Sequence, residues 1–216
     1  MSSDHILDKV KKLRELTGVG FKDCKSAIDE TKGDIEKSIE LLRKKGIAKA
    51  SQRMERTAAE GLVCIYENNN KFSMIEINCE TDFVAKNKEF INFVEEVSQL
   101  SLAASGKMED ILQSEMKNKK NVKDNLVGLV SKIGEKITLR RSVFIGNDKF
   151  LNFSYTHATI KKNIGKLGVL LSIDTTKAKK DIINLGKQLA MQVASSSPLA
   201  IEKEGLDPNI LKKEKN

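Results

Sequence analysis

Glu76-Ile77-Asn78-Cys79-Glu80-Thr81-Asp82-Phe83-Val84-Ala85-Lys86-Asn87 joins the end of a strand to the start of a helix. It continues an apolar run (Phe72, Met74, Ile75, Ile77) that reads as a strand, then turns at a polar corner. Thr81 suits a helix N-cap, because its hydroxyl can accept a hydrogen bond from a first-turn amide. Asp82 follows where a carboxylate is favoured by the helix dipole. The helix is expected to run from Thr81 to about Ser105, where Ser105-Gly106 breaks it. On that helix Phe83 falls on one stripe with Phe90, Val94 and Val97, which is the spacing of a core face. A strand-to-helix corner is equally a natural place for a projecting side chain, so the residues alone leave Phe83 open between core and site.

Working toward the N-terminus, Leu62, Cys64 and Tyr66 alternate and pair naturally with the Phe72–Cys79 strand. Asn68-Asn69-Asn70-Lys71 between them suits a hairpin turn, since asparagine tolerates left-handed backbone. Residues 47–60 carry Lys49, Arg53 and Arg56 and read as a linker and domain boundary. Residues 1–46 read as three short helices. Ile6, Val10, Leu13 and Leu16 share one helical face; Cys24, Ala27 and Ile28 mark the second helix; Ile35, Ile39 and Leu42 mark the third. Gly18 and Gly20 punctuate the first turn, Gly33 ends the second helix, Asp34 caps the third and Gly46 is expected to stop it.

Toward the C-terminus, residues 108–134 suggest two helices, the second with Leu126, Val127, Val130 and Ile133 in helical spacing and Gly134 as terminator. Ile137, Leu139, Val143 and Ile145 keep a two-residue period, a strand with one buried face. Gly146-Asn147-Asp148 signals a turn, and Phe150, Phe153 and Tyr155 lie on a returning strand. Val169–Ile173 reads as a central strand. Asp181–Ala194 reads as a helix with Ile182, Leu185, Leu189 and Val193 aligned, ended by Ser195-Ser196-Ser197-Pro198, and the tail from Ile201 suggests one more short helix. The fold class is therefore α+β: an N-terminal three-helix bundle followed by a core of antiparallel sheet with packed helices. The core divides into 61–140, carrying the corner, and 141–216.

The chain has 216 residues, 39% of them hydrophobic, enough for a real core. Its 38 Lys and Arg against 30 Asp and Glu give a net charge of +8, which admits an acidic partner such as nucleic acid or an acidic protein. The charges are interspersed, apart from short clusters at Lys117–Lys120 and Lys177–Lys180, so a solvated lysine-rich surface accounts for most of them. No apolar run approaches the roughly 20 residues of a membrane helix. The N-terminus has neither the apolar core of a signal peptide nor the character of a transit peptide. Three cysteines, Cys24, Cys64 and Cys79, with no CxxC pair, fit a reducing compartment. Bacterial cytoplasm is the expected location, and an organelle matrix fits equally.

Chemistry-bearing motifs are scarce. His5 and His157 are far apart, no HExxH or calcium loop is present, and Gly165-Lys166-Leu167-Gly168 has the wrong spacing for a phosphate-binding loop. No metal, cofactor, direct nucleotide binding or direct nucleic-acid binding is expected. Glu76, Glu80 and Asp82 are close in sequence but lack a nucleophile or base partner, which argues against covalent catalysis.

Thr81-Asp82-Phe83-Val84-Ala85-Lys86, after Ile77-Asn78-Cys79-Glu80, resembles the signature of the elongation factor Ts family. So do Leu13–Lys25 and Lys132-Ile133-Gly134-Glu135-Lys136-Ile137, with weaker matches at Tyr155-Thr156-His157 and Ala190–Ala194. The resemblance implies a guanine nucleotide exchange factor that binds elongation factor Tu in its GDP-bound and nucleotide-free forms, with no covalent chemistry. It implies an exchange tip of Thr81, Asp82, Phe83 and Val84, with Phe83 as a wedge near the Mg²⁺ and phosphate side of the partner's site. It implies a second contact at Ile133 and Gly134, and a ubiquitin-associated-like N-terminal module that docks on the GTPase domain through Leu13, Val19, Gly20 and Phe21. It extends, more weakly, to His157, Met191, Gln192 and Val193. Members of the family continue past the region matching Pro198, so the C-terminal half is expected to be incomplete and the exchange weaker. A basic RNA- or ribosome-associated binding module is the alternative that the charge suggests, and an adaptor built on the bundle is a second.

Overall fold

A computed structural model describes residues 3–53 and 55–208; the end of the expected tail helix, 209–216, lies outside the described residues. The chain is α+β. Helices α1 (Ser3–Thr17), α2 (Phe21–Glu30) and α3 (Ile35–Arg53) form the bundle. They enclose Val10, Leu13, Cys24, Ala27, Ile28 and Leu42. Two of the expected core positions lie outside: Leu16 is 60% exposed and Ile39 38% exposed. The inner position on α3 is taken by Ser38, whose hydroxyl bonds the Thr31 hydroxyl at 2.6 Å. The first helix ends as the sequence predicts, at a left-handed Gly18 (φ 67°).

Gly46 does not stop the third helix; α3 runs on through the expected linker to Arg53. The glycine serves close packing instead. A Cβ there would meet Ser131 Oγ at 3.1 Å, so its absence lets α3 lie against α7 (Val122–Ile133). Arg53 then donates to the Val130 carbonyl at 2.8 Å, a cation at the C-terminal end of α7, where the helix dipole favours it.

Strands β1 (Glu60–Asn68) and β2 (Lys71–Cys79) form the expected hairpin around Asn69 and Asn70, both left-handed (φ 46° and 63°). That backbone matches the twist of the strands in a two-residue turn. Strand β3 (Ile137–Ile145) pairs with β2, and the short β5 (Ile164–Gly165) with β1, giving the order β3-β2-β1-β5. The two-residue period expected along β3 fails at a bulge: Glu76 pairs with Arg141 but Ile77 with Leu139. Arg140 is the extra residue, and it turns the following side chains to the opposite face. Ile137 and Leu139 are buried, whereas Val143 is 43% exposed.

Strand β4 (Phe150–His157) does not return along β3. It pairs with β6 (Leu167–Asp174) in a separate two-stranded sheet, so the run Val169–Ile173 has one partner strand and is not central. Asn70 at the hairpin tip ties the two sheets: its side-chain amide donates to the Phe150 carbonyl at 2.8 Å, and its Oδ1 accepts from the Asn152 amide at 3.0 Å. Helix α8 (Lys179–Ser196) covers the second sheet through Gly186 and Ala190. A Cβ at Gly186 would lie 2.4 Å from the Phe153 ring. Close approach through these small residues leaves Leu185 and Leu189, expected inside, 50% and 40% exposed.

The main core lies between the first sheet and helices α5 (Lys88–Ala103), α6 (Met108–Gln113) and α7. Phe90, Val94 and Val97 are fully buried there against Ile75, Ile77 and Ile137. The long helix expected from Thr81 is two helices: α4 (Asp82–Ala85) and α5. Asn87 separates them, its Oδ1 accepting from the Glu89 amide at 2.8 Å to cap α5. The break takes Phe83 off the stripe of Phe90, and Phe83 is 80% exposed. Truncating the two phenylalanines should therefore give opposite results in denaturant titrations. Phe90→Ala should cost about 3–5 kcal/mol, and Phe83→Ala less than about 0.5 kcal/mol.

Candidate functional site

Phe83 sits on a one-turn helix whose backbone is fixed from several sides. Thr81 is its N-cap, extended (φ −124°, ψ 157°), and its hydroxyl accepts from the Val84 amide at 3.4 Å. The Ala85 amide returns to the Thr81 carbonyl at 3.3 Å and the Asn87 amide to the Val84 carbonyl at 2.9 Å. Val84 (7% exposed) and Ala85 (fully buried) belong to the main core. The turn is thus anchored from below by Val84 and Ala85, with Phe83 projecting from its outer side. Val84, expected to meet a partner directly, has its side chain inside and supports the tip. Asp82 is held by Lys86, 2.7 Å away on the same turn. That ammonium keeps the Asp82 carboxyl below the usual carboxylate range, with Lys166 adding to the effect, and the carboxylate in turn raises the Lys86 pKa.

The second motif reaches the same corner. Helix α7 ends at Ile133, half-buried, and Gly134 takes the left-handed C-cap (φ 90°), its amide bonded to the Val130 carbonyl at 3.0 Å. The following residue, Glu135, turns back to Thr81: it accepts from the Thr81 amide at 3.0 Å and from the Thr81 hydroxyl at 2.8 Å. One residue on, the Lys136 amide donates to the Glu80 carboxylate. Ile133-Gly134 and the tip are therefore one assembly. Glu135 lies within the Lys132–Ile137 motif, but nothing in its sequence neighbourhood marks it as a partner of Thr81.

His157 is exposed at the end of β4, with the Tyr155 hydroxyl 3.0 Å from its Nδ1. Its carbonyl accepts from the Lys166 amide at 3.1 Å, and the Lys166 ammonium donates to Glu60 at 2.6 Å. His157 thus lies at the junction of β4 with the segment that leads into β6. Met191 (49% exposed), Gln192 and the half-buried Val193 lie on α8, in the layer of the second sheet, and the structure does not bring them to the tip.

In the bundle, Phe21 is 44% exposed, Gly20 is exposed and Val19 is half-buried. Leu13 is fully buried, so its side chain supports this surface from within. Leu16 and Ile39, expected in the bundle core, and Ile47, in the expected linker, are exposed instead. With Val19 and Val127 they line a groove of about 340 Å³ between the bundle and α7. Their signal was an apolar residue at the margin of each helical stripe.

Cys79, beside the tip, is a structural residue. Burial first, and the nearby Glu135 carboxylate second, push its thiol up to about 12, and burial pushes Cys64 up to about 11. A raised pKa leaves each thiol protonated and unreactive below that pH. All three cysteines are free and buried. Labelling with an aromatic disulfide reagent at pH 8 should thus be slow in the folded chain and complete in denaturant. Rapid stoichiometric labelling of Cys79 in the folded chain would contradict this placement.

Among the described residues no group of three or more His, Cys, Asp and Glu could hold a metal ion. None of their helices is long and apolar enough to cross a membrane. What the site presents is an exposed aromatic side chain on a corner anchored in the core.

Comparison with known proteins identifies the family. The family described as Elongation factor TS matches residues 80–216. Elongation factor Ts of Methylorubrum populi is 39% identical over 208 residues, 96% of this chain and 68% of the relative. That of Methylobacterium nodulans is 41% identical over 208 residues, again 96% and 68%. That of Nitrobacter hamburgensis is 40% identical over 207 residues, 96% of this chain and 67% of the relative. With a family match over more than half its length and relatives of this similarity, the chain belongs to the elongation factor Ts family.

Proposed function

We propose that the chain binds elongation factor Tu and promotes release of its GDP, with Phe83 as the wedge. Membership of the family supports the exchange role. The single observation that supports the wedge is an aromatic side chain 80% exposed on a corner that is otherwise anchored in the core. A phenylalanine left in water forgoes about 1.5–3 kcal/mol of burial, which insertion between helices of a partner would recover. Insertion near the Mg²⁺ and phosphate side of the nucleotide site weakens GDP without any contact to the guanine, because the phosphate and Mg²⁺ contacts carry much of a nucleotide's affinity. By linkage, GDP weakens the factor's binding by the same ratio.

Asp82 and Thr81 position the wedge, and Ile133 with Gly134 forms the neighbouring contact. The bundle, residues 1–46, docks on the GTPase domain through Val19, Gly20 and Phe21, with Leu13 behind them. His157 adds an edge contact, and Met191, Gln192 and Val193 form a separate surface toward another part of the partner. Ion pairing on the outer face of the first sheet favours a protein partner over an RNA backbone. Arg140 and Arg141 share the Glu76 carboxylate, and Lys166 pairs with Glu60. Burial alone would raise the Glu76 pKa, but the two guanidinium groups outweigh it and hold the carboxyl below its ordinary range.

Release of fluorescent GDP from elongation factor Tu tests this reading. The chain should accelerate release, and Phe83→Ala should cut that acceleration at least about tenfold, or about 1.4 kcal/mol of transition-state stabilisation. Full acceleration by Phe83→Ala would remove the wedge, and no acceleration by the unaltered chain would remove the exchange role.

A further inference from the structure

The corner that carries Phe83 and the corner that follows α7 exchange hydrogen bonds in both directions. Glu135 accepts from the Thr81 amide and hydroxyl, at 3.0 and 2.8 Å. Glu80, the residue before Thr81, accepts from the amide of Lys136, the residue after Glu135. Each corner thus offers a carboxylate to the backbone of the other. The pair sits where β2 and β3 meet, just beyond the Cys79–Ile137 pairing. Further ties enclose it: Arg56 reaches Glu80 at 3.4 Å, and the Lys136 ammonium donates to the Arg56 carbonyl at 2.8 Å.

We infer that Glu80 and Glu135 form a reciprocal clasp that sets the direction of the tip, and that Glu135 is its main positioning residue. Helix α4 is a single turn, too short to hold itself in water. Its first residues have no preceding turn to bond to, so the Thr81 amide needs an acceptor from elsewhere. Glu135 supplies that acceptor and also fixes the Thr81 hydroxyl, the group that caps the Val84 amide. Charge-assisted bonds of this kind are about twice as strong as neutral ones. The clasp also joins the tip to the bundle. Arg53, at the end of α3, bonds the Val130 carbonyl in the last turn of α7, and Gly134 and Glu135 follow directly. A bundle docked on a partner would be connected through α3, α7 and Glu135 to Phe83.

Two measurements on the full-length chain, with Glu135→Ala and Glu135→Gln, test the clasp. The first is amide hydrogen exchange and needs no partner. Glu135→Ala should speed exchange at Thr81–Asn87 about tenfold or more while Phe90–Ser101 keep their protection. Glu135→Gln, which keeps an acceptor oxygen but not the charge, should fall between. Unchanged exchange at Thr81–Asn87, or equal loss throughout α5, would overturn the clasp. The second measurement rests on the exchange reading: stimulated GDP release as a function of factor concentration. Glu135→Ala should lower the maximal rate about tenfold with less than about a threefold change in half-saturating concentration, because docking through the bundle is retained. A change confined to half-saturation would overturn the positioning role. If the unaltered chain gives no stimulation while Glu135→Ala still loosens Thr81–Asn87, the exchange reading fails and the clasp stands.

Discussion

The two hydrogen bonds that Glu135 accepts from Thr81 are the constraint on which the site depends. A strand that runs out of partners must either fray or hand its backbone groups to something else. Here β2 hands them to a carboxylate 54 residues further along the chain, and the chain is then able to begin a helix one residue later. Because that helix lasts only one turn, its four residues divide between faces: Val84 and Ala85 go into the core and Phe83 goes out. Rigid backbone below and an exposed aromatic above is the arrangement expected of a preformed contact, since little conformational freedom is left to lose on binding.

Most of the architecture was legible because local chemistry and global fold agree there. The Asn69-Asn70 turn, the Gly18 and Gly134 helix ends, the apolar strands of the hairpin and the buried face of α5 all follow from residue types whose conformational preferences need no tertiary help. Three misreadings share one physical cause, a tertiary contact overriding a local rule. Gly46 was read as a stop and is a packing site against Ser131. Gly186 and Ala190 took the buried side of α8 from the leucines because small residues let the helix approach Phe153. Arg140 broke the alternation of β3 because a bulge is invisible to a two-residue period.

The site was legible only in part, for one local and one tertiary reason. Phe83 satisfied the spacing of a core residue, and only the cap at Asn87 removes it from that stripe. An asparagine six residues into an expected helix is a capping signal, so the break could have been read from the residues alone. Glu135 could not: its role depends on a pairing between β2 and β3 that brings positions 81 and 135 together. The relatives, aligned over 96% of the chain, account for three short motifs far apart in sequence occurring in this order; the structure shows two of them meeting at one corner. The third lies on the bundle, joined to that corner through α3 and Arg53.

The chain has no tryptophan, which makes Phe83→Trp a direct probe of the central claim that this side chain is outside in the free factor and buried by its partner. With 5-fluorotryptophan at that one position, a single fluorine resonance reports its surroundings. The account predicts a solvent-exposed, relaxation-accessible signal in the free chain, and a shifted, solvent-protected one on addition of nucleotide-free elongation factor Tu. A protected signal in the free chain, or one left unchanged by the partner, would contradict it.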